Sequence, residues 1–252
     1  MAGAIRKFLT NIVCGCIYNK DTRKRVRVIL NSSISSDIRF IRKNLNKPVH
    51  KVKTFIGYQA RNLLISANDE YIYKFPLRRS NSRELTINEK RMVDAFIPIS
   101  PIHIPGVEIF EHHGQLVRRY EFIRGTGLRQ IPLDIAMKNL DTLARQIAEF
   151  IFKIGISDPE SIRDLKPTPD ARPGYMYGWT QGDICDNFMV DIKTMKIIAF
   201  IDWEDCEFRD FSCMFHGDRR SPHRELMPLV KREYDKLYTR ANRTSQTEHT
   251  KF

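Results

Sequence analysis

Long apolar runs are missing from this chain. No stretch approaches the roughly 18 consecutive apolar residues that span a bilayer, and no signal-peptide cleavage pattern follows the N-terminus, so the chain is not expected to cross a membrane. Cysteine supplies no framework. The five residues, Cys14, Cys16, Cys185, Cys206 and Cys213, are odd in number and lack the spacing of a disulfide scaffold or a paired zinc knuckle. That points to a reducing cytoplasm, with Cys185 and Cys206 read as small buried hydrophobes. Internal repeats are absent. So are an aromatic platform and a base-reading motif, and no specific nucleic-acid partner is expected. Acidic residues are also short, 30 Asp and Glu against 42 Lys and Arg, a net charge of +12.

The remainder is ordinary for a globular chain: 252 residues, 42% of them hydrophobic, enough for one two-lobed domain or two small ones. Most of the excess charge lies in the first fifth, where eleven Lys and Arg face two Asp, a local +9. A basic arm of this kind seeks an anionic surface: phospholipid headgroups, phosphorylated glycolipid or nucleic acid. Ile5, Phe8, Leu9, Ile12, Val13, Cys16 and Ile17 recur at helical spacing just before the basic run Lys20 to Arg27. Such a stripe fits a helix lying in a membrane interface, and equally a helix packed on the protein's own body.

Residues 31 to 50 read as a connector with one short helix through Ile38 to Leu45. From Val52 the pattern is strands: Val52 to Ile56, a turn at Gly57 to Arg61, Leu63 to Ser66, a turn at Asn68 and Asp69, then Tyr71 to Phe75, which carries Lys74. Lys74 could be a solvated edge lysine, and Gly57 could only permit a hairpin. A helix follows from about Ser82 to Phe96, with Leu85, Val93 and Phe96 inward and Glu84 and Glu89 available. Three prolines make Ile97 to Pro105 extended. A hairpin of Val107 to Glu111 and Gln115 to Phe122 turns at His112, His113 and Gly114, with the histidines read as loop residues, and Gly125 and Gly127 supply a bend. Leu133 to Ile154 has the period of a long amphipathic helix. Asp158 to Gly178 reads as a loop, with Lys166, Arg172 and Tyr175 as possible substrate contacts. A last helix is expected over about Pro222 to Arg240, then a frayed tail.

The organising stretch is Trp179 to Asp205, WTQGDICDNFMVDIKTMKIIAFIDWED. It reads as a polar loop carrying Asp183 and Asn187, a strand Phe188 to Asp191, a turn at Lys193 and Thr194, and a strand Ile197 to Ile201 that stops at Asp202. Two carboxylates and an amide oxygen at strand ends form a donor set for a hard cation such as Mg²⁺. Taken singly, each of the three is commoner as a turn former.

QGDICDNFMVD followed by IIAFIDWEDCEFRDF resembles the catalytic loop and metal-binding strand of the aminoglycoside phosphotransferase and choline kinase-like family, nearest its lipopolysaccharide core sugar kinases. The likeness covers about residues 52 to 215. It implies an α+β fold of two lobes, a small antiparallel sheet and a larger, mainly helical lobe. The expected division is 1–50 basic helix and connector, 51–122 nucleotide-binding lobe, 123–240 catalytic lobe and 241–252 tail. By resemblance, Asp183 aligns the accepting hydroxyl, and Asn187 and Asp202 hold Mg²⁺. Lys74, braced by Glu89, holds the ATP phosphates under the Gly57 turn, and backbone groups about Tyr120, Glu121 and Phe122 meet adenine. Two departures stand out: Gln181 replaces the usual His, and Asn187 lies four residues after Asp183 where five is typical, which leaves Asp186 or Asn187 as the metal ligand. Asp210 lies near a loop-bracing acid of the family. The implied acceptor is a sugar or glycolipid, reached in the cytoplasm or at the anionic inner membrane face. Alternatives are a small-molecule kinase of the aminoglycoside or choline type, a kinase-like module without chemistry and, last, a nucleic-acid binder.

Overall fold

The computed structural model describes residues 10–14, 16–31, 33–56, 61–77, 82–167, 177–181, 186–210, 212–215 and 222–249. The chain divides into two compact units, Met1–Thr86 with Val107–Phe122, and Ile87–Gly106 with Ile123–Phe252.

The first unit is a helix-backed sheet. After a short helix at residues 10–14 come α1 (Lys20–Asn31) and α2 (Ile34–Asn44), then β1 (Val52–Ile56), β2 (Asn62–Ala67), β3 (Tyr71–Pro76), β4 (Glu108–His112) and β5 (Gln115–Glu121). The strands lie in the order β1-β2-β3-β5-β4, every neighbouring pair antiparallel. Alternation decides the faces. Leu63, Ile65, Ala67, Tyr73, Phe75 and Val117 pack with Ile41 and Leu45 into one buried cluster. Each large apolar side chain removed from water there is worth about 1.5–3 kcal/mol. The β2–β3 hairpin turns at Asn68 and Asp69, both left-handed at φ 57° and 52°, as a primed turn requires. Asn68 also ties in the approach to β1, its Oδ1 accepting from the His50 and Lys51 amides at 2.9 and 3.2 Å.

Three expectations in this unit change. The basic run is itself a helix, α1, whose Thr22 amide is capped by Asn19 Oδ1 at 2.9 Å; Lys and Arg are good helix formers. The helix in the connector begins at Ile34, four residues early. His112 is a strand residue, its Nε2 3.1 Å from Asp37 Oδ1 and its ring 4.4 Å from that of Phe40, while His113 Nε2 lies 3.0 Å from Ser36 Oγ. The tight β4–β5 turn brings both rings to the start of α2. Burial pushes the Asp37 pKa up, and the His112 contact opposes that.

The second unit takes most of α3 (Ser82–Phe96). Beyond it are β6 (Thr126–Gly127), α4 (Leu133–Lys138), α5 (Leu140–Gly155), β7 (Tyr177–Gln181), β8 (Phe188–Asp191), β9 (Lys196–Phe200), β10 (Cys206–Asp210), α6 (Ser212–Phe215) and α7 (His223–His249). Strands β6, β8 and β9 form one small sheet in that order, and β10 pairs with β7 in another. The long α5 buries Leu143, Ile147, Phe150, Ile151 and Ile154 and packs on α7, which buries Leu226, Met227, Val230 and Tyr234. Gln146 fastens α5 to the sheet: its Oε1 accepts from the Ile197 amide at 2.9 Å, and its Nε2 donates to the Met195 carbonyl at 3.0 Å.

Several boundaries shift here too. The buried residues of α3 are Thr86, Glu89, Met92, Val93, Ala95 and Phe96, whereas Leu85 is 42% exposed at the edge of that stripe. The expected helix from Leu133 breaks at Asn139, which caps α4 with its side-chain amide on the Ile135 carbonyl at 2.8 Å. Leu133 and Met137 stay exposed. The final helix continues to His249, past the expected end at Arg240, because each further residue adds a hydrogen bond once packing on α5 has supplied the nucleus.

The presumed loop from Asp158 contains a 3₁₀ turn, Glu160–Leu165, with Ile162 buried. Arg91 of α3 grips it, donating to Asp164 at 2.9 and 2.5 Å and to the Ser161 carbonyl at 2.7 Å. That hydrogen bonding lowers the Asp164 pKa, and Lys166 does the same for Asp158. A depressed carboxylate stabilises the fold above its unfolded pKa, about 3.9, and the contribution disappears as pH falls through the lower folded value. Thermal stability is therefore expected to hold above about pH 5 and to fall below about pH 4, only modestly per group because both are exposed and solvent-screened. Asp164→Asn should flatten part of that fall; an unchanged acid limb would remove the Arg91 contact from the explanation.

Candidate active site

Asp202 stands at the end of the β8–β9 hairpin in an uncommon backbone conformation, φ 61° and ψ 72°. A left-handed residue other than glycine costs roughly 1–2 kcal/mol, and such strain persists only where surrounding structure over-determines it. Three contacts do so. The Ile201 amide donates to the Asn187 carbonyl at 2.9 Å, the Gln181 Nε2 donates to the Asp202 carbonyl at 3.1 Å, and the Phe200 amide donates to the His103 carbonyl at 2.9 Å. The start of β8 and the end of β7 thus meet at the turn that carries Asp202.

Aromatic packing fixes the floor. Phe188 follows Asn187 and Trp203 follows Asp202, and both are buried. Phe200 lies 4.8 Å from Phe188, 4.6 Å from Phe150 and 5.3 Å from Trp203, which stacks on Phe96 at 5.2 Å. Rings at these separations add attraction beyond their burial. The polar residues therefore rise from a rigid hydrophobic base.

Asp186 and Asn187 differ in their partners. Asp186 forms an ion pair with Arg129, while the backbone of Asn187 is joined to Ile201 beside Asp202. Gln181 is buried, and its amide supplies the N–H donor that an imidazole could also supply, so the departure from His keeps a bond to the Asp202 carbonyl. The segment Trp179 to Gln181, expected as polar loop, is the buried strand β7, with Gln181 opposite Cys206 and Trp179 opposite Phe208. Burial pushes the Cys206 thiol far up, in keeping with an inert hydrophobe.

Asp183 and Gly57, together with Cys185, Arg172 and Tyr175, lie outside the described residues. Lys166 is held by Asp158 and lies 4.7 Å from the Phe208 ring centroid. Asp210 binds the Ser212 amide through Oδ1 at 3.0 Å and so braces the start of α6. Among the described residues no group of three or more His, Cys, Asp and Glu forms a metal cluster. The expected set would contribute only Asp202 to such a count, since Asn187 is an amide.

In the first unit, Lys74 is buried on the inner strand β3, which rules out the solvated edge lysine. Glu89 on α3 is fully buried and not a surface charge; neither residue lacks an interaction. Glu121 ends β5 opposite Tyr71, and the Phe122 amide donates to the Glu70 carbonyl at 2.8 Å. The Phe122 N–H is thereby used within the lobe, and the β3–β5 pairing runs one bond further than the sequence suggests.

Gly125 is required for a reason other than a bend. A Cβ there would lie 2.8 Å from Ile198 Cδ1 and 3.3 Å from the Val190 carbonyl oxygen, so a side chain would require the Ile198 methyl to shift and the β8 backbone to yield. Gly127 has φ −57° and ψ 139°, accessible to any residue, and an added Cβ would make only ordinary contacts. Gly125→Val is expected to destabilise the protein by about 1–3 kcal/mol in chemical denaturation and Gly127→Ala to be near neutral; equal effects would contradict the close-approach explanation.

No family model matches the sequence, and no curated protein matches it. Solved structures do match. The GDP complex of aminoglycoside 2'-phosphotransferase IIIa aligns with TM-score 0.64 and 15% identity over 81% of this chain and 83% of that one. A streptomycin–ATP ternary complex of aminoglycoside 2''-phosphotransferase IIa gives TM-score 0.60 and 13% identity over 81% and 84%. The macrolide 2'-phosphotransferase of Brachybacterium faecium gives 0.57 and 15% over 81% and 83%. The fold is the α+β protein-kinase-like fold of these phosphotransferases, with a small antiparallel-sheet lobe and a larger, mainly helical one.

Proposed function

We propose that this protein is an ATP-dependent phosphotransferase that moves the γ-phosphoryl group to a hydroxyl of a lipopolysaccharide core or related cell-surface sugar. The observation that carries the chemistry is the left-handed Asp202 turn, bonded to Asn187 and Gln181. A carboxylate and an amide oxygen are hard donors that fit Mg²⁺, so Asn187 and Asp202 are the residues to hold it. A metal held by these two residues would supply charge neutralisation for the nucleotide phosphates. Asp183 accepts a hydrogen bond from the attacking hydroxyl and aligns it. Lys74, with Glu89 as its counter-ion, binds the nucleotide phosphates. Positioning and charge stabilisation supply the rate, with no covalent enzyme intermediate.

The acceptor assignment rests on the likeness of GDICDNFMVD and KIIAFIDW to the sugar kinases. The basic N-terminal segment supports an acceptor at an anionic membrane face: Ile12 and Val13 are half exposed and Tyr18 fully exposed just before the cationic α1. Among the described residues no helix is long and apolar enough to cross a membrane. The second reading is an antibiotic kinase, favoured by the aminoglycoside and macrolide enzymes among the matching structures. Mass spectrometry of core oligosaccharide from cells with and without this protein separates the two. Loss of one phosphate from the core is the expected result; an unchanged core, with ATP consumed on an aminoglycoside, would transfer the assignment to the second reading.

A further inference from the structure

Arg129 takes no part in the roles above, yet it grips the segment that runs into Asn187. It lies on the 3₁₀ turn Leu128–Gln130 that follows β6, and its Nε is ion-paired with Asp186 Oδ1. The base of that turn is well anchored. Leu128 and Ile131 on either side are buried, and the Ile131 amide donates to the Leu128 carbonyl at 3.4 Å. Strand β6 is itself paired with β8, Thr126 opposite Val190 and Gly127 opposite Met189. Arg129 thus reaches from a fixed element to the residue that precedes Asn187.

Asp186 and Asn187 are consecutive, and each carries a side-chain oxygen that suits a hard cation. On the far side the main chain of Asn187 is held by the Ile201 amide, which donates to its carbonyl at 2.9 Å. On the near side the grip is the Arg129 ion pair. Its two side chains are 37% and 34% exposed, and a pair so open to solvent adds little to overall stability. Its place in the chain matters more, because groups that hold a metal-ligating segment from behind orient the ligands themselves.

We propose that Arg129 is a positioning residue for the metal site: by holding the Asp186 carboxylate toward the β6 side, it leaves Asn187 as the donor presented together with Asp202. The inference rests on the phosphotransferase reading. Mg²⁺ demands near-octahedral placement of its oxygens, so loosening this turn should weaken metal-dependent nucleotide binding while sparing the nucleotide contacts made elsewhere.

The test is a double-variant cycle in the full chain: native, Arg129→Ala, Asp186→Ala and the combined variant, each titrated calorimetrically with ATP with and without Mg²⁺. In Arg129→Ala the factor by which Mg²⁺ raises ATP affinity is expected to fall by about tenfold, while Mg²⁺-free affinity stays within about twofold of native. The combined variant should lose no more than the larger single loss, since both changes break one contact. Arg129→Lys keeps the charge and should recover part of the response. Melting temperatures should change little. Asp186→Ala carries the comparison if Arg129→Ala fails to fold, since Asp186 is not among the left-handed residues and alanine is not strained there. An undiminished Mg²⁺ response in folded Arg129→Ala, or losses that simply add in the combined variant, overturns the proposal. So does a large drop in the melting temperature of both single variants, which would make the pair structural. If native ATP affinity does not respond to Mg²⁺, the phosphotransferase reading fails and Arg129's role fails with it; a native response that survives both substitutions removes Arg129 alone.

Discussion

Asp202→Asn is expected to lose phosphoryl transfer by on the order of 10³-fold or more while the protein melts within a few degrees of the native chain. The two halves of that expectation have separate causes. Asp202 is not part of the aromatic floor, and asparagine tolerates the left-handed region nearly as well as aspartate, so the φ of 61° remains accessible. The Gln181 bond goes to the main-chain carbonyl and survives the substitution. Only the negative charge is removed. Asp202→Ala removes the charge as well but adds a left-handed alanine, with a cost of roughly 1–2 kcal/mol. If the asparagine variant melted much lower than the native protein, Asp202 would be a structural turn residue first, and its proposed metal role would lose support.

Trp203→Ala is expected to do the reverse, with a large effect on stability. Trp203 is 2% exposed and touches Phe96, Phe200 and Phe150. Truncating a buried aromatic typically costs about 3–5 kcal/mol, a large share of the roughly 5–15 kcal/mol that holds a domain together. Because α3, α5 and the β8–β9 hairpin all contribute rings to this cluster, the loss should appear as one cooperative shift in urea denaturation. Trp203→Phe, which keeps a ring against Phe96, should lose less than half as much. A change under about 1 kcal/mol for the alanine variant would mean that the cluster is not the floor of the site.

What was legible beforehand followed strong local signals. The β2–β3 hairpin was marked by alternating apolar residues around Asn68 and Asp69, and β8 and β9 by short apolar runs on either side of a polar turn. The span of α3 agreed with its periodicity, although not the burial of Leu85. Harder features depend on partners distant in sequence. Strand β7 carries Gly178 and polar Thr180 and Gln181, and only its pairing with β10 makes it a strand. His112 looks like a turn residue until Asp37, 75 residues away in sequence, comes within 3.1 Å. Arg118 belongs by sequence only to the Gln115 to Phe122 arm of a hairpin, and the register of β3 with β5 shows that it lies opposite Lys74. The α4–α5 break at Asn139 gave a faint signal, since Asn is a common helix-end residue, but the apolar period runs straight through it.

If Asn187 and Asp202 hold a divalent cation against a triphosphate, nucleotide binding must depend on that metal. Calorimetric titration of ATP into the native protein should show affinity that rises steeply when Mg²⁺ is added, and that rise should be absent in Asp202→Asn and reduced in Asn187→Ala. Equal ATP affinity with and without Mg²⁺ in the native protein, or an undiminished Mg²⁺ response in Asp202→Asn, would contradict it.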